Sequence, residues 1–217
     1  MSFIVAVDGY TGVGKGTLAN LLAKKYKLMN IDTGAIYRCL TLDFIEKNIK
    51  DDDIELIKKE LDEVDIKFDD GKSFLNGRDV SKEIREAPVN NRVSQVSHIP
   101  IVREAMIRLQ RRMAEGHDVI LDGRDIGTVV LPQADIKIFL VASVEERAKR
   151  RFIENQEKGI EMSYEELVED IRRRDHIDST RKESPLKKAE DAIEVDTTKM
   201  TIEDVVKTVT ALIQKYQ

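Results

Sequence analysis

The sequence predicts an α/β core in which a five-stranded parallel sheet is flanked by helices, and three observations predict it. The first is Gly9-Tyr10-Thr11-Gly12-Val13-Gly14-Lys15-Gly16-Thr17, which follows the apolar run Phe3 to Val7 and leads into the helical pattern Leu18, Leu21, Leu22 and Tyr26. Glycines at that spacing let backbone N–H groups converge on an anion, and the helix N-terminus adds partial positive charge. Lys15 has the reach to meet terminal phosphates, so the segment reads as a nucleoside triphosphate loop. The hydroxyl comes at Thr17 rather than directly after the lysine, where Gly16 stands. That variant suits small phosphate-transferring kinases better than switches and motors.

The second observation is a set of short apolar runs: Phe3 to Val7, Leu28 to Ile31, Val119 to Leu121, Ile136 to Val141 and Ala192 to Val195. Such near-continuous runs suit parallel strands buried on both faces. The third is the closing helix, where Ile202, Val205, Val206, Val209, Leu212, Ile213 and Tyr216 recur on one face and predict packing against the sheet. Two segments break the alternation. Between about Asp51 and Arg85 a charged helix precedes Asp65 to Gly77, where Asp70-Gly71 and Asn76-Gly77 predict small hairpins. From Glu145 to about Asp170 the chain is dense in charge around Gly159, which fits either a helical flap over the phosphate loop or a solvated helix pair.

Composition narrows the function classes. With 217 residues, 35% charged, the chain has the length for one substantial core and is not of low complexity. A net charge of −5 argues against broad nucleic-acid binding. No apolar stretch approaches the roughly 18 residues of a membrane span, and Met1-Ser2 opens into a strand without a signal-peptide layout, so a cytoplasmic protein is expected. The one cysteine, Cys39, fits a reducing compartment, and the scattered His98, His117 and His176 do not read as a metal cluster. No long apolar seam points to an oligomer, so a monomer is expected.

Arginine placement points to phosphoryl transfer, in which positioning and charge neutralisation carry the catalysis. Arg38, Arg103, Arg124, Arg174 and Arg181 all lie in segments with other specific features. The strand Val119 to Leu121 ends in Asp122-Gly123-Arg124-Asp125, at the sheet edge where α/β proteins bind ligands. Asp122 is expected to hold Mg2+ through water, with Thr17 as the other metal ligand.

Four motifs, Gly9 to Thr17, Asp32-Thr-Gly-Ala-Ile-Tyr-Arg38, Asp122-Gly-Arg-Asp-Ile-Gly-Thr128 and Arg174-Asp175 through Asp178-Ser-Thr-Arg181, together resemble the bacterial cytidylate kinases. The likeness extends through Ser184 to Ala192 and covers nearly the whole chain. The resemblance implies transfer of the γ-phosphate of ATP to CMP or dCMP. It implies a phosphate-loop core at about 1–38, 95–145 and 172–217, a monophosphate-binding insert at about 39–94, and a lid at about 146–171.

By the same resemblance, Lys15, Arg124 and Arg174 are catalytic, and the loop from Gly9 through Tyr10, Thr11, Gly12, Val13, Gly14, Lys15 and Gly16 to Thr17 binds ATP with Arg150 of the lid. One of Lys149, Arg150 and Arg151 is expected to touch phosphate, and the sequence leaves open which. Arg38, Arg124 and Arg181 are expected at the acceptor phosphate, and Ser94, Arg174 and Asp178 at the sugar. Thr33 stands near the base or caps the helix beginning near Ala35. Arg103 and Asp125 read cytosine, although a surface salt bridge also accounts for Arg103. Cytosine chemistry supports the pair: the N4 amino group suits Asp125, and O2 and N3 suit Arg103, whereas uracil reverses the polarity. Tyr10-Thr11 departs from the Pro-Ser usual in the family, which alters loop stiffness and removes no donor. The remaining alternatives are a kinase for UMP, dTMP or another small acceptor, and a nucleotide-dependent switch.

Overall fold

The structure, a computed structural model, describes residues 2–69, 71–157 and 159–216; Met1, Asp70, Lys158 and Gln217 lie outside the described residues. The chain divides into two compact units, residues 1–30 with 114–217, and residues 31–113.

The first unit is built on a five-stranded sheet of order β2-β6-β1-β7-β8. Its strands are β1 (Ile4–Gly9), β2 (Met29–Asp32), β6 (Val119–Gly123), β7 (Ile136–Val141) and β8 (Ile193–Asp196). β1 lies centrally and pairs in parallel with β6 and β7, and β7 pairs in parallel with β8. All five expected strands are present, because each apolar run is long enough to fill one pleated row between two covered faces. At the edge, Met29 donates its N–H to the Asp118 carbonyl at 2.8 Å.

Helices α1 (Lys15–Tyr26) and α8 (Ile202–Gln214) cover one face. Leu18, Leu22, Val205, Val209 and Ile213 interdigitate there with Val5, Val7, Ile138 and Leu140. Each such side chain contributes about 1.5–3 kcal/mol by leaving water. The periodicity overreached at two positions: Leu21 is 42% and Tyr216 59% exposed, since each falls at the margin of its helix's apolar stripe. α8 starts at a reciprocal cap in which Thr201 accepts from the Asp204 N–H and Asp204 accepts from the Thr201 N–H.

Helices α6 (Val144–Glu157) and α7 (Tyr164–Thr180) pack together around a small core of Ala148, Leu167 and Ile171. Phe152 and Tyr164 pack edge to face in the same cluster, at 6.4 Å between centroids. The charged stretch is therefore two helices with an apolar seam, opened by a Ser163–Glu166 capping box.

The second unit holds α2 (Thr33–Glu46), α3 (Ile54–Glu63), α4 (Ala87–Val96) and most of α5 (Pro100–Ala114). A three-stranded antiparallel sheet, β3 (Ile66–Asp69), β4 (Lys72–Leu75) and β5 (Arg78–Asp79), follows α3. The expected turn at Asn76-Gly77 joins β4 to β5 with φ of 50° and 79°, the left-handed pair that two-residue hairpins require. Its partner motif includes Asp70, outside the described residues. Asp43 of α2 and Glu60 of α3 are buried around the Lys47 ammonium, at 3.1 and 2.5 Å, so one lysine offsets two carboxylates between these helices.

Candidate phosphate-transfer site

The phosphate loop bridges β1 and α1. Gly9 closes the strand with its Cα opposite Leu140, and a Cβ there would stand 2.3 Å from the Leu140 carbonyl oxygen. Only glycine allows that approach. Gly14 is the N-cap of α1 with φ 91°, and among the described residues no side chain caps the helix there. The first-turn amides of α1 thus face outward with the helix dipole behind them, a ready anion site.

Lys15 is buried, and its Nζ donates to the carbonyls of Gly9 at 2.9 Å and Tyr10 at 2.7 Å. Burial, reinforced by the Arg124 charge, lowers its ammonium to about 7, against the pull of Asp122, Asp178 and Asp8. Asp122, also buried, is the penultimate residue of β6, beside the same turn: its Oδ2 lies 4.0 Å from where a Cβ on Gly16 would stand. Thr17 is exposed on that turn. Hydroxyl and carboxylate oxygens are hard donors and fit Mg2+, which keeps water and phosphate oxygens in its shell rather than demanding a protein cage.

Arg124 continues the Asp122 motif. Its Nε donates to Asp178 Oδ2 at 2.7 Å and its Nη2 to Thr11 Oγ1 at 3.2 Å. Burial opposes its charge, but Asp178, Asp122 and Asp175 outweigh burial and hold the guanidinium above its ordinary range. Asp178 in turn is held below the usual carboxylate range, the surrounding Arg124, Arg181 and Arg174 overcoming its burial. Arg181 lies 3.4 Å from Asp125 and 3.8 Å from Asp178, and donates to the Ser184 carbonyl at 2.6 Å. Arg174 is pushed down to about 10 by burial and by the neighbouring Arg151 charge, relieved only in part by Asp170 and Asp178. Crowded guanidinium groups in a dry setting are what an anion of high charge would relieve.

The structure therefore brings together the loop Gly9–Thr17, Asp122, Arg124, Asp125, Arg174, Asp178 and Arg181 within one unit. Arg150, one of the three lid candidates, donates to Thr197 O at 2.6 Å and pairs with Glu146 at 3.0 Å.

The second unit carries the other residues. Arg38 pairs with Asp32 at 2.9 Å over Gly34, where a Cβ would stand 2.9 Å from Arg38 Nη1. Asp32, not Thr33, caps α2, accepting the Ala35 N–H at 2.8 Å; the chain enters the helix one residue earlier than its composition suggests, and Thr33 becomes a buried first-turn residue. Ser94 is buried on α4. Arg103 is buried as well: its guanidinium lies 5.7 Å from the Tyr37 ring centroid and donates to the Ser97 carbonyl at 3.3 Å, so it is not a solvent-facing side chain. Cys39 is buried, and burial lifts its thiol to about 12, an inert state.

Asp8 and Arg147 escaped the sequence, and Asp175 stood in a motif without a role. Asp8, buried before Gly9, accepts the N–H groups of Ile126 at 2.8 Å and Gly127 at 2.7 Å. Arg147 and Asp175 pair at 2.7 Å, and Arg147 reaches the Thr11 carbonyl at 3.0 Å. The position of Asp8 at the end of an apolar strand was a usable signal. Arg147 stands among Glu145, Glu146, Lys149, Arg150 and Arg151, and its spacing does not distinguish it from them.

A family model described as cytidylate kinase matches residues 5–215. A cytidylate kinase of Fusobacterium nucleatum is 52% identical, with 99% of this chain and 98% of that protein covered. Those of Lactobacillus johnsonii and Caldanaerobacter subterraneus are each 50% identical, covering 98% and 97% of this chain and 94% of each relative. Among solved structures, a gluconokinase from Sinorhizobium meliloti aligns with a TM-score of 0.50 at 14% identity, over 99% of this chain and 92% of that one. An uncharacterized protein from Eubacterium ventriosum aligns at 0.54 and 15% identity, over 99% of both chains. At such identities the structural likeness speaks for the fold alone.

Proposed function

The chain belongs to the cytidylate kinase family, and from that premise we propose that it transfers the γ-phosphate of ATP to CMP or dCMP, giving ADP and CDP or dCDP. The observation that carries this reading to the residues is the hydrogen bond from Arg124 to Thr11. It sets the arginine of the Asp122–Thr128 motif directly against the donor loop, where a phosphoryl group in transit has to be neutralised.

The loop amides from Gly9 to Thr17 cradle the ATP phosphates, and Lys15 swings from its own loop carbonyls to the terminal ones. Arg124 and Arg174 stabilise the moving charge, and Arg38, Arg124 and Arg181 hold the acceptor phosphate. Ser94, Arg174 and Asp178 orient the sugar, with Thr33 near the base. Arg103 and Asp125 read cytosine, and Arg150 steadies the ATP side from the lid. The acceptor oxygen is already anionic, so the transfer needs no general base and proceeds in line. Thr17 and Asp122 would hold Mg2+ in part through water, and the ion supplies charge neutralisation at the phosphates when bound. The acidic balance supports small nucleotides rather than nucleic acid as partners, and a cytoplasmic monomer is the working form we propose.

The direct test is Mg2+-dependent ADP production from ATP with CMP, dCMP, UMP, AMP or no acceptor, side by side. Turnover specific to CMP and dCMP is expected. Hydrolysis indifferent to every acceptor would overturn the reading.

A further inference from the structure

Thr11 of the phosphate loop is held by two arginines, each of which is anchored on α7. Arg124 donates to the Thr11 hydroxyl at 3.2 Å and to Asp178 at 2.7 Å. Arg147 donates to the Thr11 carbonyl at 3.0 Å and pairs with Asp175 at 2.7 Å. Asp175 and Asp178 are three residues apart and so share one face of the helix. The two links are parallel straps from one loop residue to one helical turn.

The Arg147 strap is built rather than incidental. Its guanidinium is buried, its Nε donates to the Ala142 carbonyl at 3.0 Å, and its plane lies 5.3 Å from the Tyr10 ring centroid. Tyr10 in turn meets Phe139 edge to face at 6.1 Å. Tyr10 of the phosphate loop is therefore part of the strap, its ring clamping the Arg147 guanidinium. Among the described residues Asp175 Oδ1 is buried without a hydrogen-bond partner, and Arg147 pairs with the other oxygen of this carboxylate.

We propose that Arg147 and Asp175 are positioning residues that couple the ATP loop to the nucleoside-monophosphate-holding helix α7, so that each nucleotide tightens binding of the other. The inference rests on the assignment of Arg174 and Asp178 to the acceptor. Ordering Thr11 around the donor phosphates orders both straps and with them the turn carrying Arg174, Asp175 and Asp178. The second nucleotide then meets a helix already fixed, and less conformational entropy is lost. Coupling of this kind is reciprocal.

The test is calorimetric titration of CMP with and without a saturating non-hydrolysable ATP analogue in Mg2+, for the wild type, Arg147→Met and Asp175→Asn. In the wild type the analogue should tighten CMP at least about five-fold, and CMP should tighten the analogue by the same factor. In both variants the ratio should fall toward one. A purely structural role would lower the melting temperature and leave the ratio intact. If Arg147→Met does not fold, the near-isosteric Asp175→Asn decides. A wild-type ratio of one, or a wild-type ratio retained by Asp175→Asn, overturns the coupling. CMP turnover in the same preparation separates the two readings: an active enzyme with a ratio of one sinks the strap alone, and an enzyme indifferent to CMP sinks the functional assignment beneath it.

Discussion

The Asp8 carboxylate accepts the backbone N–H of Gly127 at 2.7 Å, with its other oxygen on the Ile126 N–H at 2.8 Å. It thereby ties the end of β1 to the π-helical turn Ile126–Val130 that follows Arg124 and Asp125. Phosphate loop and arginine motif, more than a hundred residues apart in sequence, share one buried carboxylate. Gly127 is tightly enclosed: a Cβ there would stand 3.0 Å from Lys137 Cδ and 3.4 Å from Asp8 Oδ2.

Asp8→Asn should lower stability in a pH-dependent way. The amide keeps one acceptor and turns an N–H toward another N–H, a defect that costs about 1–3 kcal/mol. Burial raises the Asp8 carboxyl from 3.8 to about 6, against the hydrogen bonds from Gly127 and Ile126. A carboxyl that holds its proton more tightly in the fold contributes its full stability below its unfolded value, and loses that contribution as pH rises through the folded one. The melting-temperature gap between wild type and variant should therefore be largest near pH 4 and narrow by pH 7.5. A gap that widens with pH would contradict the assignment.

ATP binding should take up a proton at Lys15. With the ammonium lowered to about 7 by burial and Arg124, most of the amine is neutral at pH 8 before nucleotide arrives. Phosphate charge restores the ammonium. Titrations at pH 8 in buffers of different ionisation enthalpy should report uptake approaching one proton, and Lys15→Met should abolish it. The same variant should lose about 10²- to 10³-fold in kcat, the scale for removal of one preorganised donor at a developing charge. Turnover near the wild-type level in Lys15→Met would remove the lysine from the mechanism.

The five strands were legible because apolar runs such as Ile136 to Val141 have one physical use, and the hairpin because Asn76-Gly77 supplies two left-handed residues at no steric cost. The helix margins were less so: Leu21 and Tyr216 obey the 3.6 period, yet the stripe is narrower than the pattern. Asp32 and Thr33 are both good capping residues, and only the φ/ψ of the chain entering α2 separates them. Arg147 was hidden for a different reason. A charged residue becomes buried when carbonyls and a carboxylate from distant segments meet it, here Thr11, Ala142 and Asp175, and local sequence carries no trace of that meeting.

Asp125→Asn should weaken discrimination between CMP and UMP. The carboxylate accepts only, whereas an amide offers an acceptor to the cytosine N4 amino group or a donor to uracil O4. The ratio of kcat/KM for CMP over UMP should fall about ten-fold, equivalent to about 1.4 kcal/mol, within the range for one mismatched buried polar contact. Because Asp125 also lies 3.4 Å from Arg181, kcat/KM for CMP should itself decline while KM for ATP changes little. An unchanged CMP preference would remove Asp125 from base recognition.

Gly9→Ala and Gly14→Ala should fail in different ways although both glycines belong to the same loop. At Gly9 the added methyl would sit 2.3 Å from the Leu140 backbone oxygen inside the sheet, so β1 and β7 have to part for it to fit. At Gly14 nothing stands within 4 Å of the new Cβ, and the cost is confined to a φ of 91° that alanine adopts poorly. That strain is of order 1–3 kcal/mol and relaxes by turning the loop amides away from the phosphates. Gly9→Ala is expected to unfold the core, seen as loss of the cooperative thermal transition. Gly14→Ala should keep that transition and raise KM for ATP with little change in KM for CMP. A stable, ATP-binding Gly9→Ala protein would show that Gly9 and Leu140 do not stand opposite each other in the β1–β7 register.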